Sequence, residues 1–409
     1  PYAWLGLIGE APELKLMQQI GYDLVTIGNH EYDYGPKHLA DYLKEAGYPE
    51  AKSKLPILAS NTEIPEDHPL DSCGISDYIV KETSSGIKIG FFGLIGNDAV
   101  SVAHDTGLIE FTSPLEAAEK AVTKLNQEGV DVIIGITHAG LEEDKVMAEK
   151  IDGIDVIIGG HSHHALEKKV NVNDTIIVQS GYRLENLGVL ELKYFPSEDK
   201  LQVLNESSGK PYLLKIDDSI EEDPEISSQL AAYTEELDQY LAELTEGKYT
   251  SLTEPAFSLG FPVSSKPEMS ETQFGNLLTD AMRLGVEDIT GKPVDFAFEA
   301  NGLIRRGLIP GKTSWGKHKV SFYQLAAAAG LGTGPDQRPG YPLVEVYLTG
   351  AEVKNILNIS VLLSDLWGDN YYLQTSGLRY KYDPRRAVLF NIPVLDKPIP
   401  TGRAVLSAK

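Results

Sequence analysis

The run YDLVTIGNHEYDYG, residues 22–35, opens with a short β-branched apolar stretch and stops abruptly on Asn29-His30-Glu31. A helical pattern from Leu14 to Ile20 precedes it, and another begins at His38 after Gly35-Pro36. Groups able to bind a metal or move a proton therefore sit at the carboxyl end of a strand, where open parallel sheets carry their ligands. Further along, residues 87–94 (IKIGFFGL) read as a buried strand followed by Gly-Asn-Asp, and residues 114–128 as an amphipathic helix. Residues 130–137 (VDVIIGIT) form a strand that ends on His138, and residues 141–150 are helical. Residues 154–160 (IDVIIGG) form a strand that ends on His161-Ser162-His163-His164, and residues 175–180 form one more. Near-continuous Val/Ile strands alternating with helices predict an α/β fold whose sheet is covered on both faces.

The chain has 409 residues, enough for two or three domains that each bury a core. Its 36 basic and 60 acidic residues leave a net charge of -24, which argues against nucleic acid or an anionic membrane as partner. An anionic small-molecule ligand would need local cations to offset that field, and a metal site would supply them. Cys73 is the single cysteine, so no intrachain disulfide can form. No apolar run approaches the ~18 residues of a membrane span. The chain begins on Pro1, and the expectation is that it has been processed or cut, with any export signal upstream.

An acidic run, DDSIEEDPE at residues 217–225, marks a change of character. Asp223 is a candidate N-cap with Pro224 at the first helical position. Leu230, Tyr233, Leu237, Leu241 and Leu244 then follow at helical spacing. This helix is either a link between domains or a surface helix packed on one of them. Beyond it the order changes to a mixed α+β domain. Residues 274–283 (FGNLLTDAMR) read as a helix, residues 294–299 as a strand and residues 301–306 (NGLIRR) as a loop, with strands at 340–348 and 378–382. The expected division is residues 1–215, a linker helix over 216–248, and residues 249–409.

Three strand ends thus supply Asn29-His30, His138 and His161-Ser162-His163, all within one expected parallel sheet. Neutral imidazole is the commonest protein ligand for Zn, Mn or Fe, and an Asn carbonyl adds an oxygen donor. On an extended segment His161 and His163 would point the same way. His30 and Asp33 are three apart in a turn, a pairing suited to a general acid whose imidazolium is held by a carboxylate. An Asp that only caps the turn is the alternative reading.

GNHEYDYG, GITHAG and GGHSHH together resemble signature blocks of the calcineurin-like metallophosphoesterases, in particular the 5'-nucleotidase family. FGNLLTDAMR and ANGLIRRG resemble the nucleotide-binding second domain of that family, so the resemblance covers nearly the whole chain. It implies a four-layer αββα metal domain joined by a helix to an α+β substrate domain. It implies two divalent ions, of Mn, Zn, Fe, Co or Mg, with Asn29, His138 and His161 ligating one and His163 contributing to the other. By match, His30 and Asp33 form the catalytic dyad, and Asn301, Gly302 and Arg305 bind substrate. The implied reaction is attack of a metal-activated hydroxide on the phosphorus of a nucleotide or related phosphoester. Family members work in the periplasm or at the cell surface, and the same location is expected here.

Departures accompany the match. The family's opening Asp-X-His block and its following Gly-Asp block are not found, so an amino-terminally truncated metal domain and weak metal binding by this chain alone are expected. Residues 1–20 resemble the segment that follows those blocks. In the second domain Ala300 replaces the leading Asn of the arginine block, and Ser270 stands where the family has a second arginine. Arg306 is a second phosphate donor or a surface charge. Leu331 in AGLGTG, residues 329–334, stands where a base-stacking aromatic is expected, and no closing Phe/Asp stretch is found before Lys409. Three readings stay open: a two-metal phosphoester hydrolase, a catalytically impaired scaffold that binds nucleotide-like ligands, and a thiosulfonate hydrolase sharing the metal core.

Overall fold

Valine and isoleucine runs set the main sheet. A computed structural model describes residues 11–265, 269–310, 318–330, 334, 340–392 and 397–409, and places them in two compact units, Pro1–Tyr233 and Thr234–Lys409. The expected base-stacking position at Leu331 and the first ten residues lie outside the described ones.

In the first unit, α1 (Pro12–Ile20) leads into β1 (Val25–Thr26), a 3-10 turn over Asn29–Tyr32, and α2 (Gly35–Glu45). β2 (Ile57–Leu58) pairs parallel with β1. Then come β3 (Tyr78–Glu82), β4 (Lys88–Ile95), the short α3 (Asn97–Ser101), α4 (Pro114–Gln127), β5 (Val132–His138) and α5 (Leu141–Lys150). β6 (Val156–Ile158), β7 (Val170–Val172) and β8 (Thr175–Val178) complete a six-stranded sheet of order β3-β4-β5-β6-β8-β7. Its four central strands are parallel, while β3 and β7 run antiparallel at the edges.

Alternation along β5 shows how the sheet is covered. Ile133 joins Ala118, Ala121, Val122 and Leu125 of α4, and Met147 and Ala148 of α5, on one face. Val132 and Ile134 face the other way, onto Leu192, Tyr194, Leu201 and Val203 of a β-hairpin. On this second face β4 also meets the β1–β2 pair, beyond which Leu39, Ala40 and Leu43 of α2 pack on Ile27 and Ile57. The order is helix, sheet, sheet, helix.

Contrary to the expectation of a single parallel sheet, β1 does not join the strands β5 and β6; it pairs only with β2, in the facing layer. Gly93 explains why the two layers can come this close. A Cβ at Gly93 would lie 2.5 Å from Leu58 Cβ and 2.8 Å from Thr26 Oγ1. Gly93→Val is therefore expected to force the layers apart and to lower stability by about 1–3 kcal/mol, as overpacking does. Urea unfolding of the variant against the parent chain measures it.

The boundary between the units falls inside α6 (Pro224–Leu244). Asp223 caps this helix, its Oδ1 accepting from the Glu225 and Ile226 amides at 2.9 and 3.0 Å. Tyr233, Leu237 and Leu241 are buried, while Leu230 is exposed.

The second unit contains α7 (Gln273–Thr290), capped by the Thr272 hydroxyl, and β11 (Ala297–Ala300) paired antiparallel with β12 (Leu373–Ser376), where β9 and β10 are the hairpin strands Leu192–Phe195 and Lys200–Val203. α8 (Gly350–Trp367) opens on a capping box between Thr349 and Glu352. Residues 340–348, expected as a strand, are irregular instead. Their alternation of apolar side chains does not correspond to a buried face, for Leu343, Val344 and Tyr347 are all more than half exposed. Apolar alternation marks a strand only where a neighbouring layer takes up one face.

Candidate functional site

β1 and β5 lie in facing layers, and their carboxyl ends bring together residues more than a hundred positions apart. Asn29 is buried at the start of the 3-10 turn after β1, and His138 Nε2 lies 2.8 Å from its Oδ1. The His138 ring lies flat on Gly28, where a Cβ would come within 2.9 Å of three ring atoms. The His161 ring centre is 5.0 Å from that of His138. Just after Asn29 in the chain, His30 Nδ1 is clasped by both carboxylate oxygens of Asp33, at 3.0 and 2.9 Å.

Burial drives the His138 pKa down to about 3, with repulsion from His161, His30 and His163 adding to it. Its imidazole is neutral near pH 7, as a metal donor must be. Because the folded pKa lies below the unfolded one, the unfolded chain binds the extra proton first. Stability from this group is complete above about pH 6.5 and is lost as pH falls toward about 3.

The expectation that His161 and His163 lie on an extended segment is not met. Both are left-handed, with φ of 69° and 58°. Their side chains part as a result. His161 Nε2 pairs with Asp98 Oδ2 at 2.9 Å, whereas the His163 ring stacks on Tyr182 with centroids 4.7 Å apart. Asp98 is a site residue that the sequence reading passed over. It lies in the first turn of α3, directly after β4, and so stands at a strand end like the histidines. Glu143 of α5 fixes that turn by accepting from the Asn97 and Asp98 amides at 3.0 and 2.9 Å.

The donor chemistry suits one divalent cation: a neutral buried imidazole, a second imidazole beside it and an amide oxygen. Among the described residues, no three His, Cys, Asp or Glu side chains form a ligand group on their own. The Asn29 amide oxygen is an oxygen donor beside the two imidazoles, and His163 stands apart from them against Tyr182.

Asp144 on α5 lies beneath this end of the sheet. It is wholly buried and accepts from the Thr137 hydroxyl at 2.6 Å, while its other oxygen has no hydrogen-bond partner among the described residues. Burial raises its pKa from 3.8 to about 7. Here the folded state holds the proton more tightly, so stability falls as pH rises from about 4 to about 7. Asp144→Asn is expected to remove that slope, which denaturant unfolding of both proteins at several pH values within the window would reveal.

In the second unit, Asn301 is buried and its side chain is committed to the fold. Its Oδ1 accepts from Gln374 Nε2 at 2.7 Å, and its Nδ2 donates to the Asp369 carbonyl at 3.0 Å. Gly302 sits against Asn370, and the Arg305 guanidinium is exposed, with Nη1 donating to the Gly302 carbonyl at 3.3 Å. Arg306 lies over the Tyr323 ring.

Comparison with known proteins agrees with this architecture. The calcineurin-like phosphoesterase family matches residues 6–165, and the 5'-nucleotidase C-terminal domain matches residues 250–398. The chain is 29% identical over 341 residues to the trifunctional nucleotide phosphoesterase protein YfkN of Bacillus subtilis, covering 77% of this chain and 22% of that protein. It is 34% identical over 167 residues to an apyrase of Anopheles gambiae, covering 41% of this chain and 28% of the apyrase. The chain thus spans less than a third of either relative. A 5'-nucleotidase precursor from Thermus thermophilus has the same fold, with a TM-score of 0.72 at 23% identity over 99% of this chain and 73% of that one.

Proposed function

Because this chain belongs to the proteins that join a calcineurin-like phosphoesterase domain to a 5'-nucleotidase C-terminal domain, we propose that it hydrolyses the phosphoester of a nucleotide or a related small molecule. The observation that carries the reading is the meeting of Asn29, His138 and His161 beside a His30–Asp33 pair. Divalent cations are implied by the family, and at these donors they would supply Lewis acidity to a phosphoryl oxygen. Asn29, His138 and His161 would hold one of them, and His163 would contribute to a second.

The remaining chemistry belongs to side chains. Asp33 holds Nδ1 of His30 through both carboxylate oxygens, which fixes the ring. As water oxygen bonds to phosphorus and the P–O ester bond breaks, Nε2 of His30 would deliver a proton to the leaving oxygen. Taken by itself, the second unit would offer Arg305 as a planar donor to an anionic ligand. Gly302 and Asn301 would complete that ligand site, with the Asn301 side chain held by Gln374 and Asp369. Working against phosphoesters outside the cytoplasm is part of the same proposal.

The second reading, a nucleotide-binding scaffold of impaired activity, draws on His163, whose ring stacks on Tyr182 away from His138 and His161. The test is inorganic phosphate release from a panel of nucleoside monophosphates, a nucleotide sugar and a cyclic nucleotide, with millimolar Mn²⁺. Release from at least one class is expected. Nucleotide binding without release from any would favour the scaffold.

A further inference from the structure

His161 and His163 adopt the left-handed backbone region, which residues with a Cβ rarely visit. The His163 side chain is exposed, so packing around it does not explain the conformation, while the largely enclosed His161 ring meets His138 and Asp98. Something must hold the loop, and the hydrogen bonds that do so converge on one side chain. Gln179 follows the last residue of β8 and is 3% exposed. Its Oε1 accepts from the His164 amide at 2.5 Å and from the Ser162 hydroxyl at 3.2 Å. Its Nε2 donates to the Gly160 carbonyl at 2.9 Å. The carboxamide thus grips the chain before His161 and after His163.

Ser162, the residue between them, extends the network. Its Oγ accepts from the Leu141 amide at 3.0 Å, at the start of α5, and is 2.9 Å from His164 Nδ1. Backbone bonds complete the attachment. The Gly159 amide donates to the Val178 carbonyl, and the Leu166 amide to the Gln179 carbonyl, at 2.9 and 3.0 Å. A buried amide with both ends used in this way is a rigid support, because leaving either end unpaired would be costly.

We propose that Gln179 is a positioning residue of the metal site, whose carboxamide clasps Gly160, Ser162 and His164 and so presents His161 and His163 as ligands. The inference rests on reading those histidines as metal donors. Clasp and metal binding are read separately, because the clasp is made of protein groups alone.

Gln179→Leu removes all three side-chain bonds and keeps an apolar body of similar length. Thr175→Val is the control: it sits at the other end of β8 and loses its own buried bond to the Ile154 carbonyl, 2.7 Å, without touching the loop. Hydrogen exchange in metal-free buffer reads the clasp. Peptides covering residues 159–166 are expected to lose protection in Gln179→Leu and to keep it in Thr175→Val. Unchanged protection in Gln179→Leu would overturn the proposal.

Mn²⁺ titration followed by electron paramagnetic resonance reads the consequence. Affinity is expected to fall about 10- to 100-fold in Gln179→Leu, the usual effect of losing an outer support, and to hold in Thr175→Val. Loss of loop protection with unchanged Mn²⁺ affinity would also overturn it, since the clasp would then be structural only. A parent chain that binds no Mn²⁺ would sink both the metal reading and this assignment, leaving Gln179 as a loop anchor.

Discussion

Replacing His30 by alanine is expected to lower kcat for phosphate release by roughly 10²- to 10⁴-fold, the range of a general acid in proton transfer. KM should change little, because the ring acts on the leaving oxygen as its bond breaks and contributes little to ground-state binding. Asp33→Asn should lower kcat in the same direction but less. An Asn can still accept from Nδ1 at the distances seen, 2.9–3.0 Å, but with one oxygen in place of the two that clasp the ring. Steady-state kinetics on the best substrate of the panel separates the two parameters. A His30→Ala variant with the parent kcat would remove His30 from the chemistry and leave the Asp33 contact as a turn cap.

Replacing His138 by alanine is the second large effect, and it acts through the cation. The ring contributes a neutral donor, fills the space above Gly28 and holds the Asn29 carbonyl at 2.8 Å. Its loss removes one donor and releases another, so Mn²⁺ affinity should drop by more than the ~10–100-fold typical of an outer partner. Phosphate release at fixed Mn²⁺ should fall with it and recover in part when Mn²⁺ is raised. The His30→Ala defect should not recover in this way, and the contrast assigns the two histidines to different tasks. Folding offers a check, because removing a buried ring costs stability through the cavity it leaves. Far-ultraviolet dichroism and a melting curve would separate that loss from the loss of metal.

Much of this was legible in the sequence because the site is built at strand ends. Residues 130–138 and 154–164 each show a β-branched run stopped by a polar cluster, and that pattern needs no knowledge of neighbours. β5 ends on His138 itself, and β6 ends three residues before His161. Local rules also found the Asp223 cap, where a side chain meets amides two and three residues away.

What local rules could not reach is set by distant residues. The left-handed turn at His161 and His163 depends on Gln179, fifteen or more positions later, and no spacing within GGHSHH announces it. The separation of β1 from the main sheet depends on Gly93 meeting Leu58 and Thr26 across layers. Asn301 carried a motif but spends its amide on Gln374 and Asp369, contacts 73 and 68 residues away. Residues 340–348 carried strand propensity without a layer to receive it.

The most direct measurement is the initial rate of phosphate release from one nucleoside monophosphate, using chain stripped with a chelator and titrated with Mn²⁺. Metal-dependent hydrolysis at this site predicts no release from the stripped chain and a rate that climbs with Mn²⁺ into the millimolar range, abolished again by chelator and nearly absent in His30→Ala. A rate indifferent to chelator and Mn²⁺, or one that His30→Ala leaves intact, would contradict it.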